Sequence, residues 1–232
     1  MSNSKEIIKK KNGWLIQSRT LIYNPKLVKF HPNTRKLTSL LKHGFMLDEE
    51  DWYSITPECI VNNIIKNVER NKIDKLCTEK EVLCAFSGVG GDVIPFLKRG
   101  YNITAVDFSY KIKYLKENVA VLKSITKITG NLTPITCDFF EFIPNKTFFL
   151  SIISPPWGGL SYKNNKEILK DMRIEEIHNK IIQFSKNIIY FLPKNIKENE
   201  IKEIFSDFLI KPAKDDRGKI IGILVYYGDL FI

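Results

Sequence analysis

Ser154-Pro155-Pro156-Trp157-Gly158-Gly159 follows the apolar run from Phe148 to Ile153 and concentrates residue types that can bind and hold a ligand. The run predicts a buried parallel strand. The prolines then stiffen the backbone just past a strand's carboxyl end, where open α/β sheets place their ligands. A plainer reading is a Pro-Pro turn that closes the strand, with Trp157 as a core plug. Ser87-Gly88-Val89-Gly90-Gly91-Asp92 follows an earlier strand-like run, Glu81 to Phe86. Glycines there let the backbone turn tightly and come close to a small molecule beside the next helix N-terminus. Asp107, nineteen residues after Gly88, ends the second run, where an acid accepts hydrogen bonds from ribose hydroxyls. Asp138, in Cys137-Asp138-Phe139 after the third run, is placed for an adenine amino group with Phe139 against the ring. Either acid alone could be a solvent-facing loop residue; ligand-type residues at the ends of consecutive strands argue for a nucleotide-type site.

A polar residue, two prolines and an aromatic ring at such a strand end are similar to the arrangement in methyltransferases that act on an amino nitrogen conjugated to a flat ring or amide. In that arrangement the Ser154 side chain and nearby carbonyls accept hydrogen bonds from the amino group, and the Trp157 ring covers the face of the substrate. The glycine spacing lacks the third glycine of the dinucleotide-dehydrogenase fingerprint. S-adenosylmethionine (SAM) is the better fit to Gly88, Asp107 and Asp138 together.

Strand-like and helix-like segments alternate from Thr56 to the end. Thr56 is expected to cap a helix with Pro57 in its first turn and Ile60, Val61, Ile64, Ile65 and Val68 on one face. Strands are expected over Glu81 to Phe86, Asn102 to Val106, Leu132 to Cys137, Phe148 to Ser154, Asn187 to Leu192 and Ile220 to Tyr227. Helices are expected over Asp92 to Lys98, Lys111 to Leu122, Ile174 to Lys186 and Glu198 to Phe208. Repeated β-α units of this length predict an α/β fold: a mostly parallel, doubly wound sheet.

Among 232 residues, 44% are hydrophobic, enough for one domain with a substantial core, or one domain with an appended arm. The formal charge of +10 is uneven: residues 1–47 hold ten basic side chains against one acid, Glu6, leaving +1 for the other 185 residues. We therefore expect a basic arm over 1–47 and a catalytic sheet domain over 48–232. A basic arm suggests a polyanionic partner, since phosphate neutralisation supplies most sequence-independent nucleic-acid affinity. Trp14, Tyr23, Phe30 and His31 among the charges could stack on bases; a solvated basic tail is the alternative. Cys59, Cys77, Cys84 and Cys137 are far apart and unpaired in spacing, which reads as reduced thiols in an intracellular protein with no metal site. No apolar stretch is of membrane-spanning length and no signal-peptide core opens the chain, so a soluble protein is expected.

Several motifs carry a specific resemblance: Leu47-Asp48 with Trp52-Tyr53-Ser54-Ile55-Thr56-Pro57-Glu58; Ala85 to Gly91; Ser154 to Gly159 with Tyr162; Asn187 to Asn195; and Tyr226-Tyr227-Gly228-Asp229-Leu230. On these the chain resembles the catalytic domain of the trimethylguanosine synthases over nearly everything from Phe30 onward. The resemblance implies a Rossmann-like class I methyltransferase fold, SAM as methyl donor and the 7-methylguanosine cap of small nuclear and nucleolar RNAs as substrate. It implies action as a monomer in the nucleus or nucleolus, with the cytoplasm also open, and no membrane partner. It implies that Asp107 binds the SAM ribose, that Thr56, Phe86, Gly88 and Gly90 line the cofactor site, and that Asp138 and Phe139 hold the adenine. Ser154 and Pro155 then line the amino-group pocket and Trp157 stacks on the methylated guanine, with Tyr162 and Asn118 beside the cap. Lys29, Arg35 and Lys194 are the candidates for the triphosphate and following RNA. The chain departs from the family at Ser87, often cysteine, at Ser109, usually a second acid, at Val119 in place of a second asparagine, and at Leu160-Ser161.

Methylation at position 7 makes the guanine cationic, so a face-on Trp157 attracts it more than neutral guanine. No His, Glu or Lys stands beside the pocket motif as a general base; His31, His43 and His178 all lie elsewhere. Catalysis is therefore expected to rest on positioning. Two other readings stay open: an amino methyltransferase for internal RNA guanosine or DNA adenine, and a cap-binding protein without transfer.

Overall fold

Apolar runs bounded by turn residues become strands, and the segments between them become helices that cover both faces of one sheet. The computed structural model describes residues 7–9, 15–17, 20–22, 37–48, 50–70, 80–108 and 110–228. Three short strands, β1 (Ile7–Lys9), β2 (Leu15–Gln17) and β3 (Thr20–Ile22), pair antiparallel within the basic segment. The main sheet contains β4 (Glu81–Ala85), β5 (Asn102–Asp107), β6 (Leu132–Thr136), β7 (Leu150–Ile153), β8 (Ile188–Leu192), β9 (Phe208–Lys214) and β10 (Ile220–Tyr227). The helices are α1 (Asp51–Ser54), α2 (Glu58–Arg70), α3 (Val93–Lys98), α4 (Lys111–Ile125), α5 (Ile168–Asp171), α6 (Ile174–Ile181) and α7 (Glu198–Lys202).

Strand order is β6-β5-β4-β7-β8-β10-β9. The first five pair in parallel, and β10 runs antiparallel between β8 and β9. The expected parallel α/β sheet is thus present, with one reversed strand. From β4 the chain winds outward through β5 to β6, then returns to the other side of β4 as β7. The carboxyl ends of β4 and β7 therefore flank the switch point where such sheets bind ligands.

Side chains alternate between faces along each strand. Val82 and Cys84 of β4 join one apolar cluster with α2, α3 and α4, while Leu83 and Ala85 join another with α5, α6 and α7. The α2 stripe of Ile60, Val61, Ile64, Ile65 and Val68 is buried as its spacing requires, each residue contributing about 2 kcal/mol of apolar burial.

Three expectations need correction. Leu37, Leu40, Leu41, Phe45 and Leu47 are buried in the same cluster as α2, so the core takes in residues that the charge count grouped with the arm. Thr56 turns its hydroxyl to Asp92 at 3.2 Å while α2 starts at Glu58. The helix expected over Glu198 to Phe208 ends at Lys202, and Phe208 begins β9, an edge strand whose Pro212 costs the sheet nothing at its rim.

Candidate active site

The turn after β4 sets up one side of the switch point. Phe86 (φ 59°) and Gly88 (φ +50°) both take left-handed backbone, which glycine adopts freely and phenylalanine rarely. A Cβ added at Gly88 would meet nothing within 4 Å, so the turn leaves open space there. The Gly88 N–H donates to Asp107 Oδ2 at 2.9 Å, tying the turn to the end of β5. Gly90 serves packing instead: a Cβ there would lie 2.6 Å from Leu115 Cδ1 of α4. On the adenine side expected from sequence, Phe139 is buried and tilts against Phe86 with ring centroids 5.4 Å apart. Asp138 is exposed and accepts the Phe140 N–H at 2.8 Å, which fixes its loop. Open space at Gly88, an acid at the end of β5 and an aromatic wall fit an adenosyl ligand of the expected kind.

The turn after β7 forms the other side. Pro155 is buried and Trp157 half-buried. The indole N–H of Trp157 donates to the Phe191 carbonyl at 3.3 Å. Its ring lies 5.0 Å from the Phe191 ring and edge-on to Tyr162 at 5.3 Å. Trp157 packs against both apolar clusters and stays half-buried, which leaves part of it open to solvent. Gly158 and Gly159 follow with open space where a Cβ would stand.

Between the two turns lies an acid to which the sequence assigns no role of its own, as the last residue of the glycine motif and the first of the expected helix. Asp92 is 5% exposed, and its Oδ2 accepts the Thr56 hydroxyl. Ser154 lies close enough to lower the Asp92 pKa, yet Ser154 Oγ and Asp92 Oδ1 are buried without a hydrogen-bond partner. Burial dominates and pushes the Asp92 carboxyl up to about 6, against the pull of the Ser154 and Thr56 hydroxyls. From β4, Cys84 senses the same carboxylate: burial first, and then the Asp92 charge, push its thiol well up. The available signal was an acid directly after a double glycine and ahead of the apolar Val93-Ile94-Pro95-Phe96-Leu97, a poor place for a charge unless it has partners.

The remaining expected residues divide. Asn118 is fully buried: its Oδ1 accepts the Met46 N–H at 2.5 Å, and its Nδ2 donates to the carbonyls of Met46 and Val89 at 3.0 and 2.9 Å. It clamps the segment before α1 to the glycine turn. Trp52 is core and Tyr53 exposed. Lys194 is exposed, its Nζ 3.3 Å from the Ile220 carbonyl oxygen. Lys29, Arg35 and Ser109 lie outside the described residues. His178 is buried far along the chain on α6, 2.9 Å from the Tyr190 hydroxyl, with its pKa lowered by burial to about 4. Cys59, Cys84 and Cys137 are free thiols. Among the described residues, no group of three or more His, Cys, Asp or Glu could hold a metal ion, and no helix is long and apolar enough to cross a membrane.

A trimethylguanosine synthase of Schizosaccharomyces pombe is 30% identical over 78% of this chain and 75% of its own length. One of Saccharomyces cerevisiae is 27% identical over 99% of this chain and 77% of its own. Among solved structures, a magnesium protoporphyrin IX methyltransferase from Synechocystis PCC 6803 with bound SAM superposes with TM-score 0.52 at 16% identity, covering 74% of this chain and 79% of that one, a likeness of fold. Residues 79–229, which run from β4 through both turns to the end of β10, match the family described as RNA cap guanine-N2 methyltransferase, and the chain belongs to that family.

Proposed function

We propose that this enzyme transfers two methyl groups from SAM to the exocyclic 2-amino nitrogen of the 7-methylguanosine cap on small nuclear and nucleolar RNAs, giving 2,2,7-trimethylguanosine. The observation that carries the reading is the half-buried Trp157 and buried Ser154 Oγ at the end of β7, across the switch point from the open turn at Gly88. SAM, when bound, supplies an activated methyl: the nitrogen–carbon bond forms as the carbon–sulfur bond breaks, and sulfur keeps the electron pair. Gly88, Asp107, Asp138 and the Phe86–Phe139 wall hold the donor. Ser154 Oγ and the carbonyls around Pro155 accept the amino N–H groups and aim the nitrogen lone pair. Holding the reactants in line can remove about 7 kcal/mol or more of the barrier. Trp157 covers the guanine face, with Tyr162 at its edge. The methylated nitrogen on guanine is weakly basic, so its proton passes to water.

Lys194, and Lys29 and Arg35 of the basic arm over 1–47, are assigned to the triphosphate and the RNA behind it. Nuclear action by a monomer belongs to the same reading. The test is labelled SAM with three acceptors: a 7-methylated cap analogue, an unmethylated cap analogue and uncapped RNA. Label is expected chiefly in the first, with the unmethylated cap far slower and uncapped RNA unlabelled. Equal labelling of uncapped RNA would support internal guanosine as substrate, and cap binding without label would leave only a cap-binding protein.

A further inference from the structure

The buried carboxylate between the two turns is not among the residues assigned above to SAM or guanine. It is nonetheless where three separate segments meet: Thr56 ahead of α2, Asp92 ahead of α3 and Ser154 after β7. Asp92 makes no side-chain capping bond to α3, so its oxygens are not spent on its own helix. Oδ2 takes the Thr56 hydroxyl, while Oδ1 is without a partner, as is the nearby Ser154 Oγ. Gly91 lets this junction close, since a Cβ there would lie 2.6 Å from Ile55 Cγ1 and 2.9 Å from the Thr56 carbonyl oxygen.

A serine hydroxyl has one donor and two acceptor positions and turns to suit its neighbours, whereas an ionised carboxylate only accepts. An amino group presents N–H donors, so Ser154 serves it only with the hydroxyl hydrogen directed elsewhere. We propose that Asp92 is the positioning residue for Ser154: its Oδ1 takes the Ser154 hydroxyl hydrogen and so turns the Ser154 lone pairs toward the guanine 2-amino group. Thr56, bonded to Oδ2, holds the carboxylate in the plane that allows this. A fully buried charge with one unfilled acceptor position is costly to keep, and it gains a purpose when the second hydroxyl is the one that meets substrate. The proposal rests on the reading that Ser154 lines the amino-group pocket.

The test is a double-mutant cycle with Asp92→Ala, Ser154→Ala and the pair. It reads kcat and KM on a 7-methylated cap analogue, SAM affinity by calorimetry and thermal melting. Each single variant is expected to lose about tenfold or more in kcat with SAM affinity unchanged. The pair should be no slower than Ser154→Ala alone, because Asp92 acts only through Ser154. Losses that multiply in the pair, full activity in Asp92→Ala beside a slow Ser154→Ala, or a fall in SAM affinity with Asp92→Ala would each overturn the assignment. Wild-type activity in Ser154→Ala would instead overturn the amino-pocket reading beneath it. If Asp92→Ala melts below the assay temperature, Asp92→Val, of similar volume and also without an acceptor, takes its place in the cycle.

Discussion

Replacing Asn118 by alanine separates two roles for that side chain. Its amide carries three bonds, to the Met46 N–H, the Met46 carbonyl and the Val89 carbonyl, at a site with no solvent exposure. Asn118→Ala leaves those three backbone groups without their partner. At about 1 kcal/mol for each, the loss is about 3 kcal/mol. For a chain of this size that is a fall in Tm of about 6–12 °C. Val89 belongs to the glycine turn, so the freed turn should also bind SAM more weakly. Thermal melting with and without SAM, and calorimetric titration of SAM, read both effects. A side chain that touched the cap directly would instead raise KM for the cap and leave Tm in place. An Asn118→Ala protein that melts within about 2 °C of wild type, under one-third of the expected fall, would refute the clamp.

Asp92→Asn should change how stability depends on pH. The unfolded carboxyl titrates near 3.8 and the folded one near about 6. Between these values the native state keeps a proton that the unfolded chain has lost. The Asp92 contribution is therefore most favourable below pH 4, falls as pH rises through the window, and reaches its full cost above 6. A gap of about two units is worth about 3 kcal/mol, so Asp92→Asn should gain up to about that much over wild type at pH 8 and little at pH 4. Urea unfolding at the two pH values reads the difference; a pH-independent gap would contradict it. Trp157→Leu keeps an apolar side chain but removes the π face, and should erase a preference of up to about thirtyfold for 7-methylated over unmethylated cap analogue, measured as relative kcat/KM. Retained discrimination in that variant would place the reader of the positive charge elsewhere.

Much of this architecture is legible in the sequence because buried parallel strands are nearly continuous apolar runs: β4, β5, β7 and β8 have their buried Val, Leu and Ile where the runs are. The strand ends to which the proposed ligand residues are assigned were legible for the same reason, since Gly88, Asp107 and Ser154 are the polar or flexible residues at which such runs stop. β9 was hidden because it is an edge strand with Ala213 as its one buried residue and is interrupted by Lys211 and Pro212, while Ile201, Ile204, Phe205 and Phe208 keep a helical spacing into its first residue. β1 to β3 are three-residue strands set among lysines, too short for an alternating pattern to emerge. Asn118 and Asp92 mark a different limit. Both are polar residues beside helical apolar positions, and a sequence shows the residue but not the backbone group or hydroxyl, 36 or 72 positions away, that it is folded against.

The central claim, that the amino group of a 7-methylated cap guanine is the acceptor, is tested most directly by the product itself. Purified protein, SAM and a 7-methylated cap analogue are incubated, the cap nucleoside is released, and its mass and fragmentation are recorded. The account predicts a guanosine with three methyl groups, both new ones on the exocyclic nitrogen, and far slower methylation of the unmethylated analogue. New methyl groups on a ring nitrogen or the ribose, or methylation of the unmethylated cap at an equal rate, would contradict it.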